Sequence, residues 1–148
     1  MAYYAKIGSG NVVTNVVRIP NIQIMNEDWE EDDAKGLSLC EDATSGTYVR
    51  CSYNTSKGVH SKGGTALRAN FPAPGMIYDS TNDIFHEPRP TDKDSEACTS
   101  WTLSTTTGLW SPPIVKPTSP AETETSWYVW DESLYQGDNT KGWVKSDA

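Results

Sequence analysis

A chain of 148 residues suffices for one modest domain and gives no reason to expect two independent cores. Only 36% of the residues are hydrophobic and the mean hydropathy is -0.60, so the core is small for the length and burial calls for a supplement, such as a partner surface. Twelve basic against twenty acidic side chains leave a formal charge of -8, which argues against nucleic-acid binding, and no run approaches the ~18 apolar residues of a membrane span.

Residues 3–19 read as a β-hairpin. Tyr3-Tyr4-Ala5-Lys6-Ile7 leads into a turn at Gly8-Ser9-Gly10-Asn11, and the β-branched run from Val12 to Ile19 is closed by Pro20. From Asn26 the acids Glu27, Asp28, Glu30, Glu31, Asp32 and Asp33 precede Ala34–Cys40. Acidic residues favour a first helical turn and Asn26 is a fitting cap, so the segment reads as a short helix despite Gly36, with a solvated acidic loop as the competing reading. A strand is expected over Thr47–Tyr53, then a Gly/Ser/Lys-rich loop from Asn54 to Gly64.

The composition changes at Phe71: eight of the nine prolines fall between Pro72 and Pro120. Proline at that density forbids helices and interrupts sheet ladders, which predicts short hairpins joined by extended linkers. A weak internal repeat lies within this part. Tyr78 is followed seven residues later by Phe85 and then by Pro88; Leu103 is followed seven later by Trp110 and then by Pro113. Trp130 to Trp143 repeats the arrangement with about six residues inserted, where Asp131-Glu132-Ser133 opens a turn that Gly137-Asp138-Asn139 extends. Each unit is a small hairpin whose large side chains would meet across the strands, and a lone hairpin needs something to pack on.

The expected fold is therefore mainly β: a small antiparallel sheet with one short helix over residues 1–70, then a Pro-rich arm of three aromatic hairpins over residues 71–148. Cys40, Cys51 and Cys98 match no metal or redox spacing and read as reduced core thiols. His60 and His86 are the only histidines, and neither stands in a catalytic motif. The acidic run lacks the apolar surroundings that would make a general acid. Asp79, Asn82 and Asp83, like Asp131, Glu132, Asp138 and Asn139, flank turns without calcium-loop spacing. No phosphate loop is present; Lys57, Lys62 and Arg68 around Gly63-Gly64 form the one basic stretch and read as a mobile loop. No catalytic residue, cofactor or metal is expected. Six Trp and seven Tyr point instead to binding through aromatic side chains, and five of the Trp follow residue 100. Trp101, Trp110, Trp127, Tyr128, Trp130 and Trp143 are the candidate partner-binding residues. A glycan could also stack on such faces, although cross-strand packing would consume several of them.

Four segments carry a resemblance: MAYYAKIGSGNVVTNVVRIPN, VRCSYNTSKGVHSKGGTALRANFPAPGMIYDSTNDIFHEPRP, SWTLSTTTGLWSPP and YVWDESLYQGDNTKGWV. In this order the chain resembles small virion structural proteins of marine tailed phages, especially cyanophages. It departs from their pattern where Asn70-Phe71-Pro72-Ala73-Pro74-Gly75 replaces a Tyr-Ala-Gly-containing link, and in a more polar stretch around Cys40. The resemblance implies a non-enzymatic particle component. Its partners would be other virion proteins, either the major capsid protein, as for a decoration or cement protein, or neck and tail proteins, as for a fibre or fibre-attachment subunit. Self-association is left open, and neither nucleic acid nor membrane is expected. The opening residues lack the basic region and apolar run of a signal peptide, so assembly in the host cytoplasm and residence in the virion are expected.

Overall fold

A computed structural model describes residues 1–147. They form a mainly β protein of small antiparallel sheets with three short helices, grouped in two compact units. The first unit comprises Met1–Pro88 together with Thr105–Leu109; the second comprises Arg89–Ser104 and the chain from Trp110 onward.

In the first unit, β1 (Ala2–Ile7) is the central strand between β2 (Val13–Ile19) and β3 (Thr47–Cys51). The expected hairpin is present, and a single 3-10 turn over Ser9–Asn11 closes it, with Gly10 and Asn11 at positive φ. Alternation along β1 supplies two cores. Ala2 and Tyr4 join Ile19, Ile24, Cys40 and Tyr48 on one face, and Ala5 joins Val13, Cys51, Met76 and Phe85 on the other. Because both faces are covered, β1 reads as a nearly continuous apolar run.

Helices α1 (Asn21–Ile24) and α2 (Asp33–Ala43) belong to the first face. The helix expected with Asn26 as its cap begins six residues later, and its cap is Asp32, whose side chain accepts from Ala34 N and Lys35 N. Long-range pairing selects this start: Arg50 on β3 binds both Glu31 and Asp33, which holds the first turn against the sheet. The loop expected over residues 54–64 contains a hairpin of β4 (Thr55–Ser56) and β5 (Val59–His60). Lys57 and Gly58 turn it with φ of +53° and +78°, the paired left-handed conformation of a two-residue hairpin loop.

From Phe71 to Pro88 the chain stays within this unit. Pro72 is fully buried, Phe71 meets Tyr3 edge-on at 5.3 Å, and β6 (Ile77–Asp79) pairs with β7 (Ile84–His86) so that Phe85 enters the second core. Asn70 ties three loops together. Its Oδ1 accepts from Lys57 N at 2.9 Å, and its Nδ2 donates to Phe85 O and Thr107 O, each at 3.0 Å. Asn70→Asp keeps the shape but turns two donors into an acceptor facing two carbonyls. It should lower the stability of this unit by about 2–3 kcal/mol, read as a shifted urea midpoint with an unchanged m-value.

In the second unit, β8 (Thr102–Leu103) pairs with β9 (Trp110–Ser111), and β10 (Ser126–Trp130) pairs with β11 (Trp143–Asp147). The three side-chain pairs read from the sequence repeat are all direct register partners: Tyr78 with Phe85, Leu103 with Trp110, and Trp130 with Trp143. The insertion in the last hairpin is α3 (Glu132–Gly137), capped by the Asp131 side chain on Leu134 N, where only a turn was expected. Three helices thus replace the single one anticipated.

Residues 112–125 contain no strand, as their prolines require, but they are not a free arm. Trp143 Nε1 donates to Ile114 O, Tyr128 Oη to Pro120 O, and Lys145 Nζ to Pro120 O and Ala121 O. Glu122 accepts from Tyr128 N and pairs with Lys116. Side chains of the β10–β11 hairpin thereby satisfy carbonyls that a proline-rich strand cannot place in a ladder.

Candidate functional site

The six candidate aromatic residues all belong to the second unit and divide into two groups. Trp130 is 4% exposed and packs at 5.3 Å against Trp143 and 5.9 Å against Trp101, both edge-to-face; Tyr135 lies 5.5 Å away on α3. These rings form the core of the unit. Their packing depends on a carboxylate. Glu132 is 6% exposed and accepts five hydrogen bonds: from Thr99 Oγ1, Ser100 N and Oγ, Trp130 Nε1 and Gln136 Nε2, at 2.8–3.0 Å. Its own N–H donates to Asp92 Oδ2, and Asp92 Oδ1 accepts from Asp94 N and Glu96 N. Burial by itself would raise the Glu132 pKa, but the donors outweigh it and hold the carboxyl down at about 2. A charge so fully occupied by fixed protein donors ties three segments of chain into one unit.

The outer group is different. Trp127 lies on the face of β10 opposite Tyr128 and Trp130 and is 38% exposed; Val115 in the proline-rich connection is 87% exposed. Tyr128 is half-buried beneath the Lys145 ammonium, 5.1 Å from its ring centre, and Trp110 is half-buried beneath the Arg89 guanidinium at 4.5 Å. Arg89 is itself fixed, since it donates to Cys98 O and Trp101 O. A cleft of about 280 Å³ is lined by Thr91, Asp92, Lys93, Trp101, Tyr128, Val129, Trp130 and Trp143. Its Trp130 wall is engaged in packing against Trp101 and Trp143.

The groups weighed for chemistry are engaged in structure. His60 Nδ1 accepts from Lys62 N and Gly64 N and so orders the basic loop, while His86 is buried with its Nδ1 2.6 Å from Glu87 O. Asp79 accepts from the backbone of Thr81 and Asn82, and Asp83 binds Arg68 and Tyr78 Oη. All three cysteines are free and buried; burial pushes Cys51 up to about 12, Cys98 up to about 11, and raises Cys40 as well, so none is a ready thiolate. Among the described residues no group of three metal-ligating side chains gathers, and no helix is long and apolar enough to cross a membrane.

Two exposed aromatics lay outside the sequence-based selection. Tyr53 is 66% exposed and stacks on Tyr3 at 5.9 Å, and Trp29 is 73% exposed. The sequence signal for Trp29 was its isolation among acids, with no apolar neighbour to bury it. No family model, no curated protein and no solved structure matches this chain.

Proposed function

We propose that the chain is a structural subunit of a tailed-phage particle, a decoration or cement protein that works by protein contact. The observation that carries this reading is the division of the aromatic residues. One set is locked into a core around Glu132, whereas Trp127 and Val115 stand outside it on a polar, acidic molecule. Large apolar side chains kept in water on a rigid support are the usual anchors of protein interfaces. The ordered succession of segments resembling small virion proteins points to the same class of partner. In this reading the connection over residues 112–125 and, on the opposite face of the β10–β11 hairpin, Trp127 are the points of contact with neighbouring capsid subunits.

The test is quantitative rebinding to particles stripped of the protein, together with its copy number per particle. Wild-type chain should rebind at hundreds of copies, and Trp127→Ala should rebind at least tenfold more weakly while keeping a cooperative unfolding transition. Six or twelve copies, with immunogold label confined to the tail, would move the subunit to the neck or tail. Absence of rebinding would end the particle reading.

A further inference from the structure

In the first unit, the segment between α1 and α2 projects an indole into solvent and holds it there. Trp29 has φ of +61°, a left-handed conformation in which a bulky residue is an outlier. Its neighbours fix it. Asn26 Oδ1 accepts from Asp28 N and Glu30 N, both at 2.9 Å; Asn26 N donates to Glu30 O; and Trp29 N donates to Asn26 O. Met25 and Glu31 form a bridge across the base. Lys35 Nζ binds Met25 O at 2.8 Å, and Glu31 is held by both Arg50 and Asn21. The turn is therefore over-determined at its base while the ring at its tip is 73% exposed. A segment whose only task was to connect two helices would place a polar residue or glycine at that φ.

We infer that Trp29 is a preformed anchor for a second protein surface, one carrying an apolar pocket rimmed by Lys and Arg. This inference rests on the particle reading for the identity of the partner. Charge decides the chemistry of the rim. Glu27, Asp28 and Glu30 flank Trp29 in the chain, are exposed, and enter no ion pair among the described residues, whereas Glu31 and Asp33 are already taken by Arg50. A partner seated on the indole brings its rim against these three carboxylates, and only a basic rim is attracted. A second copy of the chain, at a formal charge of -8, is repelled, as are a phosphate backbone and an anionic bilayer. Because the turn is ordered before contact, little conformational freedom is lost on docking.

The experiment uses the full chain and stripped particles as the probe, with wild type, Trp29→Ala and the triple variant Glu27→Lys/Asp28→Lys/Glu30→Lys compared at low and high salt. Trp29→Ala should weaken rebinding by about 30-fold, the loss typical of a central aromatic anchor, and should leave the melting temperature nearly unchanged because the residue is 73% exposed. The triple variant should bind weakly at low salt and lose the salt dependence of the wild type. Rebinding of Trp29→Ala at wild-type strength overturns the inference and leaves the particle reading standing. Wild-type oligomers in sedimentation that dissolve with Trp29→Ala would assign the indole to a second copy and overturn it too. Failure of the wild type to rebind removes both.

Discussion

Glu132→Ala is expected to cost the second unit about 3 kcal/mol or more, enough to lose its cooperative unfolding transition. The substitution leaves the Trp130 indole N–H, Ser100 N and two hydroxyls without the acceptor they share, and each stranded buried donor costs about 1–3 kcal/mol. Tryptophan fluorescence reports it directly, since Trp130 packs against Trp101 and Trp143. A second arm uses pH. The folded pKa of about 2 lies below the ordinary glutamate value of 4.5, so the unfolded chain takes up this proton first as pH falls. The stability that the carboxylate contributes is complete above pH 4.5 and is lost progressively toward pH 2. Glu132→Gln cannot titrate, so its stability should be lower at neutral pH but flatter through that window. Parallel acid profiles for wild type and Glu132→Gln would show that the carboxylate is not the group that fails.

The cross-strand pairs were legible because a hairpin imposes fixed spacing on the residues that oppose each other: Tyr78 and Leu103 each meet a partner seven residues on, and Trp130 meets Trp143 across the inserted α3. The division of the aromatics into core and surface was half legible. Period-two alternation places Trp127 and Trp130 on opposite faces of any strand, but which face is inner depends on Glu132, whose donors come from residues 32 or 33 positions away as well as from its own helix. The helix start failed for a similar reason. Six acids and Asn26 offer several local caps, and the one used is set by Arg50 on a distant strand. Asn26 does cap backbone N–H groups as its type suggests, yet it closes the turn that carries Trp29 and not a helix. Proline density pointed to extended linkers between short hairpins, but it carried no information on the Trp143, Tyr128 and Lys145 donors that tie residues 112–125 down.

Gly36→Ala sets two effects against each other with opposite signs. Helix propensity alone favours alanine inside α2 by about 1 kcal/mol. Packing opposes it, because α2 lies directly on the Tyr4 ring: a Cβ at position 36 would sit inside contact distance of Tyr4 Oη and Cζ and 3.0 Å from Cε2. Tyr4 is fully buried, is hemmed by Ile24, Cys40 and Tyr48, and carries the Arg50 guanidinium 5.5 Å from its ring centre, so it has no room to yield. Overpacking of this kind costs about 1–3 kcal/mol and usually more where the neighbour is rigid, so a net loss of about 2 kcal/mol is expected in urea denaturation. The glycine that weakens the helix on local grounds is what lets the helix reach the sheet. The double-mutant cycle separates the terms: in a Tyr4→Leu background, where the ring is gone, Gly36→Ala should become neutral or stabilising by up to about 1 kcal/mol. A Gly36→Ala variant more stable than wild type would mean that α2 does not rest on Tyr4, and the first core would then have to be closed by a different face of the helix.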